Sequence, residues 1–197
     1  MFSLLGLHGS SGHPSLIKPF ITALARGLPS ACPRGAFVDG DGYTFFKRLA
    51  DRTVPTLELI ALAKESVAIG GFVSNIGRRD SLLVGYSSGA IFAHALLAVA
   101  PSDFVGAILL RPEPIGQHFG LPELDRKPIL IISGEHDQRR KPRDGFVVAE
   151  QLSRAGAQVA HYHLDAGHGW AASDQDLILS TAWMAQTYID GERGGES

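Results

Sequence analysis

Residues 81–99 read Ser81-Leu82-Leu83-Val84-Gly85-Tyr86-Ser87-Ser88-Gly89-Ala90-Ile91-Phe92-Ala93-His94-Ala95-Leu96-Leu97-Ala98-Val99. Leu82-Leu83-Val84 is apolar without alternation, which suits a short parallel strand covered on both faces. The alanine-rich stretch 88–99 reads as a helix that stops before Pro101. Between strand and helix, Gly85-Tyr86-Ser87-Ser88-Gly89 fits the pattern G-x-S-x-G. In that setting the pattern describes a sharp strand-to-helix turn that pushes a serine hydroxyl into a cleft. The two glycines are required because side chains there would collide in so tight a turn. The helix N-terminus favours negative charge beside Ser87. Ser87 is therefore the candidate nucleophile. A glycine-rich turn carrying a solvated serine is the plainer alternative, and Ser88 is a rival by type but is not central between the glycines.

The same rhythm extends in both directions. Strands are expected over 2–7, 81–85, 104–110, 128–133 and 159–164, with a weaker one near 30–32. Helices are expected over 16–26, 53–72, 88–99, 144–155 and 173–189. Pro14 suits the first turn of the first helix, Gly156 follows the fourth, and Ser173 with Asp176 resembles a capping box for the last. Strands alternating with helices imply an α/β class: an open, mostly parallel sheet with right-handed crossovers. Ligands of such sheets bind beyond the carboxyl ends of the strands.

A serine hydroxyl is a poor nucleophile and needs an adjacent base. His168 lies in Asp165-Ala166-Gly167-His168-Gly169-Trp170, just after the 159–164 strand, and is the candidate. His161 and His163 alternate inside that strand and read as structural histidines. The acid that would orient the imidazole is Asp137, in the loop Gly134-Glu135-His136-Asp137 after the 128–133 strand. Glu135 and Asp165 are local rivals. The order is serine, then acid, then histidine. An oxyanion hole needs backbone N–H groups, and Ser88 and Ser10 are the candidates, the latter in Leu7-His8-Gly9-Ser10-Ser11-Gly12. A phosphate-binding loop there is disfavoured because no lysine follows.

Bulk composition narrows the classes. The 197 residues suit one domain, taken as 1–190 with a polar, glycine-rich tail over 191–197. With 45% hydrophobic and 19% charged residues the chain is an ordinary globular sequence rather than a disordered one. A formal charge of −2 offers no basic surface for nucleic acid. No apolar run is long enough for membrane insertion. Cys32 is the single cysteine, so no internal disulfide can form. With no positively charged leader, a cytoplasmic location is expected. Neither metal nor organic cofactor is called for.

Taken together, Leu7-His8-Gly9, Gly85-Tyr86-Ser87-Ser88-Gly89, Gly134-Glu135-His136-Asp137 and Ala166-Gly167-His168 resemble the oxyanion, elbow, acid and base segments of the carboxylesterase/phospholipase family of α/β-hydrolases, the group that includes acyl-protein thioesterases. The likeness runs through most of the chain. Pro33-Arg34-Gly35, Phe45-Phe46-Lys47-Arg48-Leu49 and Leu109-Leu110-Arg111-Pro112 are similar to segments of a bacterial branch of small hydrolases. The resemblance implies an α/β-hydrolase fold whose first strand corresponds to the family's third, leaving about six strands and an exposed edge that invites a homodimer. It implies hydrolysis of a small-molecule ester or thioester. Amide hydrolysis, acyl transfer and a ligand-binding receptor with an idle triad are the alternatives. Arg111 stands where thioesterase relatives have a small residue, so it is a candidate for receiving a substrate carboxylate or phosphate; a surface arginine paired with Glu113 or Glu123 is the other reading. Phe45, Phe46, Phe119 and Trp170 are candidate pocket walls, with ordinary core packing as the alternative.

Overall fold

The computed structural model describes residues 2–68, 80–116 and 119–189. Six parallel strands form one sheet in the order β2-β1-β5-β6-β7-β8. They are β1 (Ser3–Leu7), β2 (Ser30–Ala31), β5 (Ser81–Tyr86), β6 (Phe104–Leu110), β7 (Pro128–Gly134) and β8 (Gln158–Leu164). A short antiparallel hairpin, β3 (Phe37–Asp39) with β4 (Gly42–Thr44), stands apart from the sheet. The helices are α1 (Pro14–Ala25), α2 (Thr56–Ala68), α3 (Ser88–Val99), α4 (Asp144–Arg154) and α5 (Gln175–Met184).

The apolar runs are explained by two cores, one on each face. Leu5, Leu7, Leu83, Leu109, Ile129 and Ile131 face α2, α3 and α4. Their neighbours Leu4, Leu82, Val84, Ile108, Leu110, Leu130 and Ile132 face α1 and α5. Successive side chains of a strand point to opposite faces, so a sheet covered on both sides needs apolar residues at every position. Fully burying each such side chain contributes roughly 1.5–3 kcal/mol. The α/β-hydrolase architecture read from the sequence is what the chain adopts.

The expected strands match the observed ones to within a residue or two. The last helix differs more. Ser173 has φ 54° inside a 3-10 turn (Ala172–Asp174), and α5 begins only at Gln175. Ser173 and Asp176 do not form a capping box, because the Asp176 carboxylate is engaged by Arg111 and the Ala171 N–H. The expected end of the 53–72 helix and the 191–197 tail lie outside the described residues. No helix among the described residues is long and apolar enough to cross a membrane.

What positions the site is the parallel sheet itself. Ser87 follows β5, Arg111 follows β6, Asp137 follows β7 and His168 follows β8. All four leave the sheet at its carboxyl edge, on adjacent strands.

Candidate active site

Ser87 sits between β5 and α3 with φ 55° and ψ −115°, a conformation that strains any residue with a Cβ. The turn is held by its N–H donating to the Leu110 carbonyl at 2.9 Å. A Cβ at Gly89 would strike the Leu7 and His8 carbonyl oxygens, and one at Gly85 would meet the backbone of Gly89 and Ala90. The close approach of α3 to β1 therefore requires glycine at 89, and the tight turn of α3 back over β5 requires it at 85.

The three separated segments converge. The Ser87 hydroxyl lies 2.8 Å from His168 Nε2. His168 Nδ1 lies 2.8 and 2.9 Å from the two Asp137 carboxylate oxygens. An ionised carboxylate only accepts, so Nδ1 carries the proton and Nε2 is free to accept from Ser87. Ser87 is 8% exposed and Asp137 9%. Burial pushes the His168 imidazole below its ordinary value. The Asp137 hydrogen bond opposes this, and the nearby charges of Arg140 and Arg139 add to the lowering. The neutral imidazole is thus the resting form at neutral pH.

The loops carrying acid and base are themselves anchored. Asp137 Oδ1 accepts from the Arg139 N–H at 2.9 Å. The Tyr86 hydroxyl donates to the His168 carbonyl at 2.6 Å, and burial raises its pKa, which keeps it a donor. Arg111 clamps the base loop from below. Its Nε donates to the Gly167 carbonyl at 3.0 Å and Nη2 to the Gly169 carbonyl at 3.1 Å. Nη1 reaches the Ile132 carbonyl at 3.3 Å, and both Nη atoms pair with Asp176 at 2.9 and 3.1 Å.

Arg111 therefore departs from both sequence readings. It is 1% exposed, and all five of its N–H donors are engaged inside the protein. It has none to offer a substrate, and its carboxylate partner is Asp176 rather than Glu113 or Glu123. Phe45 is also corrected: it is 3% exposed and stacked on Phe92 (5.2 Å) and His8 (4.8 Å), so it belongs to the core. Phe46 is likewise buried. Phe119 packs half-buried against the α2–α3–α4 core. Trp170 does reach the surface. It stacks on Tyr86 and Phe20 at 4.9 Å each and lines a groove of about 370 Å³ with Leu16, Phe20, Ala23 and Leu177. Tyr86 lies between that groove and the His168 ring, 5.7 Å from the latter.

Ser88 opens α3, where first-turn N–H groups have no helical acceptor. Ser10 is exposed in the turn closed by the Gly12 N–H donating to the Gly9 carbonyl. Gly9 lies against Ser87: a Cβ there would come 3.4 Å from the Ser87 Cβ. His8 shapes this loop. Its Nδ1 lies 2.7 Å from the Gly9 carbonyl and its Nε2 accepts from the Gly35 N–H at 3.0 Å, which assigns the proton to Nδ1. Ser133 lies between His161 Nε2 (2.7 Å) and His163 Nδ1 (2.8 Å), within a separate cluster on β7 and β8.

Sequence reasoning missed Arg140. Its Nη2 donates to Ser87 Oγ at 3.0 Å and its Nε to the Arg111 carbonyl at 2.9 Å. Its only sequence signal is its place three residues after Asp137. No group of three or more His, Cys, Asp or Glu among the described residues is placed to hold a metal ion.

A six-stranded parallel sheet with a strained serine at a strand-to-helix elbow, facing an imidazole and a carboxylate from later strands, defines an α/β-hydrolase. No family model matches the chain. It is 26% identical over 168 residues to the MhqD protein of Bacillus subtilis, named as a hydrolase, covering 84% of each. A carboxylesterase from Bacillus cereus superposes with a TM-score of 0.82 at 23% identity, over 92% of this chain and 87% of that one. A carboxylesterase from Mesorhizobium loti gives 0.75 at 26% identity, over 93% and 88%. Over most of its length the chain is thus similar to α/β-hydrolases of carboxylesterase type.

Proposed function

We propose that the protein hydrolyses carboxylic esters or thioesters of small molecules through an acyl-enzyme on Ser87. The observation that carries this reading is the unbroken relay from the Ser87 hydroxyl through His168 to Asp137. Ser87 Oγ attacks the acyl carbon as its proton passes to His168 Nε2. The negative charge that develops on the carbonyl oxygen is received by the N–H groups of Ser88 and Ser10, in a site where such donors act most strongly. His168 returns the proton to the leaving alcohol or thiol. It then takes a proton from water as the water oxygen attacks the acyl carbon, and passes that proton to Ser87 Oγ as the acid leaves, restoring the free serine and the neutral imidazole. Asp137 holds the imidazole and offsets the charge it gains. Trp170 serves as the wall along which one arm of the substrate lies.

Turnover of p-nitrophenyl acetate tests this. The unaltered protein is expected to release p-nitrophenol, and Ser87→Ala to lose about a million-fold in kcat while staying folded, because the relay acts as a unit. A receptor with an idle triad binds without turnover. Full activity in Ser87→Ala removes the mechanism.

A further inference from the structure

We propose that Arg140 makes the site selective for esters whose acyl part carries a carboxylate one or two carbons from the scissile carbonyl. This rests on the acyl-enzyme reading above and names its substrate class.

The starting observation is a guanidinium hydrogen-bonded to the nucleophile itself. Arg140 Nη2 donates to Ser87 Oγ at 3.0 Å, and the side chain is 8% exposed. Its other donors are engaged: Nε on the Arg111 carbonyl, and Nη1 on the Arg139 carbonyl and on Glu113 at 3.4 Å. Nη2 has a second N–H for which the described residues record no acceptor. Nη2 thus gives one N–H to Ser87 Oγ and keeps a second on the same nitrogen.

Topology decides what that nitrogen can meet. The N–H groups of Ser88 and Ser10 come from the β5 and β1 side of Ser87, whereas Arg140 comes from the loop after β7. An acyl group bonded to Oγ lies between the two. Acylation also turns Oγ from a hydroxyl into the bridging oxygen of an ester, a weaker acceptor. Arg140 then needs a new partner within roughly 2.8 Å, the distance of a charge-assisted bond. A carboxylate on a short acyl chain reaches that distance; a plain alkyl chain leaves the guanidinium beside apolar carbon, where a partly unsatisfied charge is costly.

The direct contacts favour an anion. Arg48 and Arg140 share a single carboxylate, Glu113, which Arg48 holds with two hydrogen bonds at 2.5 and 3.2 Å. Asp137 and Asp144 act on Arg140 through space, but among the described residues neither forms an ion pair with Arg48 or Arg140; Asp137 is hydrogen-bonded to His168 and Asp144 to the Lys141 N–H at 2.9 Å. Arg139 adds an exposed cation beside the imidazole. Arg48 and Arg140 thus make direct contact with one carboxylate between them, while Asp137 and Asp144 offset part of their charge from farther off.

Three esters of similar size test the proposal: monoethyl succinate, with the carboxylate in the acyl part; ethyl butyrate, which is neutral; and the butyryl ester of glycolate, with the carboxylate on the alcohol side. The expected result is a kcat/KM about ten- to a hundred-fold higher for monoethyl succinate than for either other ester. Arg140→Gln is expected to abolish that ratio, and Arg140→Lys to restore part of it. In the unaltered protein, succinate is expected to inhibit ethyl butyrate hydrolysis more strongly than butyramide does, a comparison that needs no variant to fold. Equal rates for succinate and butyrate esters, or a preference for the glycolate ester, overturn the selectivity while Ser87-dependent turnover still supports the acyl-enzyme. Absence of Ser87-dependent turnover of all three overturns both.

Discussion

Asp176→Asn alters the base loop without touching a reacting atom. Asp176 is 2% exposed and is the carboxylate partner of Arg111, which is itself 1% exposed. The substitution keeps the shape of the side chain but removes its charge and turns one acceptor into a donor. That donor faces an Arg111 Nη or the Ala171 N–H, both donors themselves. A buried guanidinium without a counter-charge destabilises by about 3–5 kcal/mol. Against a total stability of about 5–15 kcal/mol this is severe but not always fatal. With a urea m-value of about 2 kcal/mol/M, the unfolding midpoint is expected to fall by about 1.5–2.5 M. Activity is expected to fall at least tenfold under conditions where the variant stays folded. Arg111 holds the Gly167 and Gly169 carbonyls on either side of His168, and small displacements of a catalytic group lower rates steeply. Urea titration followed by circular dichroism, with initial rates on p-nitrophenyl acetate, measures both effects. The double variant Arg111→Met with Asp176→Leu removes both charges and is expected to recover part of the stability but not the rate. An Asp176→Asn midpoint within 0.3 M of the unaltered protein refutes the clamp.

Two further outcomes concern pH. Because burial and the arginines lower the His168 pKa, and only the neutral ring can act as base, kcat/KM is expected to rise with pH through a midpoint below 6.5 and then level off; a midpoint above 7 contradicts the electrostatics. His94 is fully buried on α3, with neither ring nitrogen hydrogen-bonded among the described residues, and burial pushes its pKa down to about 4. The unfolded chain binds a proton that the folded one refuses, so this residue's effect is absent above pH 6.5 and stability is lost as pH falls from there towards 4, by about 3 kcal/mol. His94→Leu is expected to flatten that part of the stability profile; an unchanged acid limb in urea titrations at pH 7 and pH 4.5 contradicts it.

The apolar strands were readable because both faces of the sheet are covered, which makes Leu82-Leu83-Val84 and Ile129-Leu130-Ile131-Ile132 stand out. The convergence of Ser87, Asp137 and His168 was readable for a related reason: each follows directly on a parallel strand, and parallel strands end on one edge. The hairpin around Asp39-Gly40-Asp41-Gly42 escaped because its strands are three residues each, too short for a period, although the Asp-Gly pairs carried a turn signal. Arg111 was misread and Arg140 missed for a deeper reason. A charged residue in a loop looks the same in sequence whether it is solvated or buried. Only the fold shows that Arg111, after β6, lies beneath the loop after β8, and that Arg140 folds back onto Ser87. The role of Asp176 follows from Arg111, and nothing local distinguishes it from a helix-start acid.

The proposed reaction requires one serine to become covalently acylated. Incubating the unaltered protein with a fluorophosphonate and measuring its intact mass, followed by peptide mapping, tests this most directly. One adduct is expected, on Ser87, formed at a rate that falls with His168→Gln and accompanied by complete loss of ester turnover. No adduct, or an adduct on another residue while turnover persists, contradicts it.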